Sequence, residues 1–154
     1  MQKITPFLCF DGRAEEAMNF YTSIFKDSKI DWISHLDVGG PKKMATGTFT
    51  LNGQQFMALD GGPMYTFNQA VSMYVNVETQ EELDYYWEKL TEGGKEIQCG
   101  WLTDKFGLPW QIVPTFLTQA LHNSDKEATT RTLQAMMKMV KFDIEGLRNA
   151  FEGK

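Results

Sequence analysis

Glu15-Glu16-Ala17 followed by Phe20-Tyr21 recurs as Glu81-Glu82-Leu83 followed by Tyr86-Trp87. Each copy has paired carboxylates in a first helical turn, where they complement the helix dipole. Large apolar side chains follow at helical spacing. Ala14, Ala17, Met18, Tyr21 and Phe25 form one apolar face over residues 13–25, and Leu83, Tyr86, Trp87 and Leu90 form the other. Asp11-Gly12 supplies a turn and a cap for the first helix. Thr79-Gln80-Glu81-Glu82 is a capping box for the second, which ends at Gly93-Gly94.

The surroundings of the two helices also match. Strands are expected at residues 4–10, 28–36, 44–51 and 54–59 around the first, with Asn52-Gly53 a strong hairpin signal. Strands at 70–77, 95–99, 101–103 and 109–113 surround the second, with Lys105-Phe106-Gly107 as a turn. Gly53 with Phe56 corresponds to Gly107 with Trp110. The order is βαβββ twice, an internal duplication. The expected class is therefore α+β, a single domain of two βαβββ modules over about residues 1–63 and 68–115, with a C-terminal helical extension over about 116–154. In that extension a short helix at 115–122 precedes one capped by Ser124-Asp125-Lys126-Glu127 and running to about Val140. Its apolar face is Leu133, Met136, Met137 and Val140, a stripe expected to pack on the core or on a second subunit. Asp143 caps a last helix bearing Ile144, Leu147 and Phe151.

Composition limits the function classes. The 154 residues are 42% hydrophobic and 23% charged, within the range of a globular chain with a real core. Net charge is −5 and Lys42-Lys43 is the one adjacent basic pair, so no basic stripe for nucleic acid is present. No apolar run approaches the roughly 20 residues of a membrane-spanning helix, and the first residues lack a signal-peptide core. A cytoplasmic location is expected, with Cys9 and Cys99 as free thiols within strands.

A duplicated βαβββ chain carrying Phe10-Asp11-Gly12, Glu15-Glu16-Ala17, Phe20-Tyr21, the stretch Cys99-Gly100-Trp101-Leu102-Thr103-Asp104-Lys105-Phe106-Gly107-Leu108-Pro109-Trp110-Gln111-Ile112-Val113-Pro114 and the tail Gln134-Ala135-Met136-Met137-Lys138-Met139 resembles the vicinal oxygen chelate superfamily. Within it the chain looks like the PhnB-like group, also labelled demethylubiquinone methyltransferase-like. The resemblance implies paired sheets around a cavity, commonly in a homodimer, with the modules pairing within or between chains. Metal-dependent members place ligands on the first and last strands of each module. The aligned positions here are Thr5, Met57, Ser72 and Gln111. One amide, two hydroxyls and a thioether suit a divalent ion poorly, so no metal is expected. No cofactor is expected either. Binding a nucleotide-like methyl donor on an α/β fold usually needs a Gly-rich turn opening a helix, and Gly61-Gly62-Pro63 cannot open one.

The expected ligand-binding set is Thr5, Phe7, Met57, Ser72, Tyr74, Trp101 and Gln111. Alternation places Phe7 with Thr5 and Cys9, and Tyr74 with Ser72 and Asn76, while Gln111 opposes Trp110 and Ile112. Thr5, Met57, Ser72, Tyr74 and Gln111 are expected to line one concave surface. His35 and Asp104 are the candidate acid–base residues, and His122 is expected at a helix-terminal surface. Three function classes follow. One is a metal-free protein binding a small apolar or aromatic molecule. Another is a glyoxalase-superfamily enzyme (lyase, dioxygenase or transferase) acting on a small metabolite. The third is an interaction module using the Met-bearing helices.

Overall fold

The computed structural model describes residues 2–154. The chain divides into two compact units, the first ending at Thr66 and the second spanning Phe67–Lys154. Both contain a four-stranded mixed sheet with the same strand order, so the βαβββ duplication is present in the topology itself.

In the first unit β1 (Phe7–Phe10) leads to α1 (Ala14–Ile24), β2 (Lys29–Leu36), β3 (Met44–Leu51) and β4 (Gln54–Asp60). The spatial order is β1-β4-β3-β2, with β1 parallel to β4 and the other pairs antiparallel. Period-two alternation sorts the residues of β3. Ala45, Phe49 and Leu51 are buried, whereas Met44, Thr46, Thr48 and Thr50 face the other way. The buried face receives Ala17, Met18 and Tyr21 of α1, and Phe49 stacks between Tyr21 and Phe56 with ring centroids 6.2 and 5.4 Å away. Asn52 and Gly53 take φ of 45° and 80°, which the tight β3–β4 hairpin requires.

Two sequence expectations need correction here. Asp11-Gly12 does not cap α1. The residue at the cap position, Arg13, makes no side-chain cap, and Asp60 at the end of β4 accepts instead from Ala14 N at 2.7 Å and from Ala45 N at 3.0 Å. One carboxylate thereby joins helix and sheet. β1 also starts at Phe7 rather than Ile4, which is exposed. Pro6 has no N–H to donate, although its carbonyl still accepts from Met57 N.

In the second unit β5 (Met73–Val77), α2 (Gln80–Thr91), β6 (Lys95–Glu96), β7 (Trp101–Thr103) and β8 (Pro109–Pro114) form a sheet of order β5-β8-β7-β6. Thr79 caps α2 by accepting from Glu82 N, and Glu82 reaches back to Glu78 N. Leu83, Trp87 and Leu90 are buried as expected, whereas Tyr86 is half-buried and lies edge-on to Tyr85. Partial burial raises the Tyr86 phenol above its ordinary pKa, with the nearby Glu82 carboxylate acting in the same direction. The β7–β8 turn is held by Asp104. Its Oδ1 accepts from Phe106 N and Leu108 N, its Oδ2 accepts from Trp110 Nε1 at 2.8 Å, and the residue is 3% exposed.

β6 is two residues long, not the expected five. Cys99 and Gly100 have φ of 60° and 76°, which no strand accommodates, and their N–H groups donate to Met139 O and Val140 O. The C-terminal extension therefore supplies the backbone partner where a continued strand was expected.

The extension comprises α3 (Thr115–Leu121), α4 (Lys126–Met136) and α5 (Ile144–Glu152). α4 is capped by Asp125 rather than Ser124 and stops at Met136 rather than Val140. The expected stripe is not its packing face, since Leu133, Met137 and Val140 are exposed. Ala128 and Thr132 are buried instead, and the Thr132 hydroxyl is absorbed by Ala128 O. Arg131 donates to Ala150 O and Phe151 O, carbonyls at the end of α5. Asp143 caps α5 as expected, Ile144 and Leu147 are buried, and Phe151 meets Phe116 edge-on.

Between α4 and α5, Phe142 sits 2% exposed over Gly100, where a Cβ would lie 2.3 Å from its ring. The Gln80 side-chain amide donates to Phe142 O and accepts from Ile144 N, and Lys141 pairs with Asp84 at 2.8 Å. That ammonium, with the Gln80 amide, holds the Asp84 carboxyl below the ordinary aspartate range.

Two stability outcomes are expected. Asp104→Ala leaves two buried donors and one half-buried donor without their acceptor and should lower the unfolding free energy by about 2–4 kcal/mol, read from urea denaturation. Loss of under 1 kcal/mol would show that the turn holds without it. Phe142→Ala should cost about 3–5 kcal/mol, and Gly100→Ala should also destabilise because the new methyl group meets the Phe142 ring. A wild-type unfolding midpoint for both variants would contradict this packing.

Candidate ligand-binding pocket

The face of each sheet turned away from its own helix carries the site candidates. In the second unit Trp110 and Ile112 of β8 are buried on the α2 side, which turns Gln111 to the other face. Register aligns Tyr74, Gln111 and Trp101 in one row across β5, β8 and β7. Ser72, just before β5, accepts a 2.9 Å hydrogen bond from Gln111 Nε2. The Tyr74 hydroxyl lies 3.1 Å from Thr118 Oγ1 of α3. Above this row is a pocket of about 200 Å³, walled on the sheet side by Tyr74, Trp101 and Gln111 and on the other by Leu117, Met136 and Phe142. The structure thus brings together Ser72, Tyr74, Gln111 and Trp101.

The first unit repeats the row. Phe7, Met57, Thr48 and Trp32 align across β1, β4, β3 and β2. Phe7 occupies the position of Tyr74 and Met57 that of Gln111. An open groove of about 350 Å³ is lined by Met57, Thr48, Trp32, Gln55 and Asp31. A register shift between Ile30 and Trp32 inserts Asp31 as an extra residue, placing its carboxylate beside Trp32. Thr50 Oγ1 donates to Asp31 at 2.7 Å and Lys29 lies 3.3 Å from it, and these contacts, the Thr50 hydrogen bond first, lower its pKa. Thr5 precedes β1 and is half-buried.

The acid–base candidates lie elsewhere. His35 pairs with Ala45 in register and so belongs to the α1 side of its sheet, opposite the groove. The sequence places no carboxylate near it, but the fold brings Glu15 of α1 to 2.7 Å from its Nε2, on the exposed surface. Glu16, the other member of that acidic pair, binds Arg13. Asp104 has both carboxylate oxygens occupied by donors, which fits a structural role. His122 is exposed at the end of α3, with Nδ1 2.8 Å from Thr118 O. Both cysteines are free; Cys9 is on β1, whereas Cys99 lies outside any strand and contributes to the second unit's pocket.

Sequence reasoning missed Asp31, Trp32 and the extension residues of the pocket. A bulge leaves no periodic signal, and the helices of the extension were separated from the sheet by sequence distance alone.

The donors at the superfamily's metal positions do not suit a divalent ion. In the second unit the Gln111 amide is already paired with the Ser72 hydroxyl, and the first unit offers a thioether and a hydroxyl. Among the described residues no three His, Cys, Asp or Glu side chains converge as a metal group. Among the same residues no helix is long and apolar enough to cross a membrane.

Comparison with known proteins gives a consistent placement. The family model described as 3-demethylubiquinone-9 3-methyltransferase matches residues 2–113. The PhnB protein of Bacillus cereus, which carries the same methyltransferase name, is 45% identical over 74% of this chain and 100% of its own, with a TM-score of 0.69. A Pseudomonas aeruginosa protein is 22% identical over 74% of this chain and 98% of its own, with a TM-score of 0.57. The fosfomycin resistance protein FosX of Listeria monocytogenes shares the fold at 14% identity, covering 79% of this chain and 98% of its own, with a TM-score of 0.60. No curated protein matches the sequence. With the duplicated βαβββ topology already in hand, the match shows that this chain belongs to the PhnB-like family named 3-demethylubiquinone-9 3-methyltransferase, within the vicinal oxygen chelate superfamily.

Proposed function

We propose that this protein binds a small planar apolar or aromatic molecule without a metal, in the pocket of its second unit. The observation that carries this reading is the row Tyr74–Gln111–Trp101 facing Leu117, Met136 and Phe142. Two aromatic side chains supply apolar surface, and one amide and one hydroxyl supply direction, the usual composition of a small-molecule pocket. A cavity of about 150 Å³ holds a benzene ring, so about 200 Å³ suits a one- or two-ring ligand. Phe7 and Met57 lie on the corresponding face of the first unit and Thr5 just before its first strand, and in this reading they are that unit's own ligand contacts. The methyltransferase name adds no chemistry to it, because no Gly-rich turn opens a helix toward either row.

The reading includes a homodimer in the cytoplasm. Phe7, Trp32 and Leu36 are 47%, 53% and 43% exposed on one sheet face, large apolar side chains that a partner would take out of water. A second copy covers such a face at little cost, since isologous pairing is the common oligomeric solution.

Titration with a panel of one- and two-ring aromatics should give a saturable change in tryptophan fluorescence. Trp101→Phe should remove most of that change, and Gln111→Ala should weaken binding by roughly tenfold, the loss of about one hydrogen bond. A flat response across the panel would sink the proposal. Sedimentation equilibrium should return twice the chain mass, with Trp32→Glu shifting it toward one chain; a wild-type protein of single-chain mass rules out the dimer.

A further inference from the structure

The matched family core stops at Val113, and the whole B. cereus PhnB chain corresponds to 74% of this one. Yet half the wall of the second unit's pocket comes from later residues: Leu117, Thr118, Leu121, Met136 and Phe142. These side chains lie over the sheet face that carries Trp101. Without them Tyr74, Gln111 and Trp101 would form an open surface.

We infer that the C-terminal extension is the size gate of this pocket, and that Leu121, Met136 and Phe142 set the largest molecule that reaches Trp101. The inference takes its ligand class from the binding reading above; its geometry stands separately.

Three features make the extension a defined wall. Phe142 is anchored, packed on Gly100 with its carbonyl bonded to Gln80. The segment before it is tied to the sheet through Cys99 N–H to Met139 O, Gly100 N–H to Val140 O and Gln98 Nε2 to Met137 O. Thr118 on α3 reaches Tyr74 across the pocket. Met136 differs from these anchors. It is half-buried at the last position of α4 and makes no polar tie through its side chain. A flexible thioether at such a position adapts to what lies beneath it, so truncating it widens the pocket and leaves the anchors in place.

The test uses the full chain in a Trp32→Phe background. Trp32 is 53% exposed, whereas Trp87 and Trp110 are 4% and 3% exposed, so Trp101 then dominates the accessible emission. Two neutral collisional quenchers of different size, acrylamide and the bulkier succinimide, probe access. Acrylamide should reach Trp101 and succinimide should reach it poorly. Met136→Ala, and separately Leu121→Ala, should raise succinimide quenching severalfold with a smaller change for acrylamide, and Trp101→Phe should remove that component.

The gate is overturned if succinimide quenches the unaltered extension as well as acrylamide does. It is equally overturned if both truncations remain folded by urea denaturation and leave the ratio unchanged. In the ligand panel, Met136→Ala should favour the larger aromatics by roughly tenfold, the scale of a lost methylene contact or more. No bound ligand enters the quenching measurement. A panel without saturable binding therefore overturns the binding reading, while the quencher ratio still decides the gate.

Discussion

A sheet with a helix on one face buries every second side chain and leaves the alternate set to another partner. The rest of this protein follows from that constraint, applied twice. In both units the helix takes the large apolar residues: Phe49 and Phe56 against Tyr21 in one, Leu102, Trp110 and Ile112 on the α2 side in the other. The alternate residues are mixed: Thr48, Tyr74 and Gln111 stand in the same rows as Phe7, Met57, Trp32 and Trp101. The units differ in what meets that second face. In the second unit the chain's own extension lies over it, and in the first Met57, Thr48 and Trp32 open onto a broad groove.

Much of this was legible in the sequence because the relevant signals are local. Helix periodicity around Ala17 and Leu83, the hairpin at Asn52-Gly53 and the alternation along β3 and β8 each need a window of fewer than about 18 residues. Gln111 could be assigned to the face opposite Trp110 from adjacency alone. The features that were not legible depend on distant partners. Asp60 caps α1 from the far end of β4, Glu15 of α1 meets His35 of β2 20 residues away in sequence, and Cys99 leaves the strand because Met139 accepts its N–H. Asp104 is instructive for a different reason. Its residue type suggests acid–base chemistry, but the tight turn beneath Trp110 folds three donors around it, and position overrides type.

The helix face in the extension was misassigned for a physical reason as well. Leu133, Met137 and Val140 are the most hydrophobic residues of that stretch, and hydrophobicity alone selects them. The helix instead buries Ala128 and Thr132. Small residues permit close approach to α5, and Arg131 satisfies that helix's terminal carbonyls from the same region. Close packing of backbones can outweigh the burial of a longer but more mobile side chain.

The two-residue length of β6 also bears on the order of events at the ribosome. Every backbone partner in the first sheet has been synthesised by Asp60, so that unit can close while the remainder is still being made. The second sheet's strand partners are complete only at Pro114, and its unit waits longer still. Cys99 and Gly100 wait for Met139 and Val140, and the seat over Gly100 stays vacant until Phe142 emerges. During that interval a row of aromatic side chains faces water on a half-built unit. The same chain thus contains one module that can mature early and one exposed to misassociation and chaperone capture until its last helices arrive.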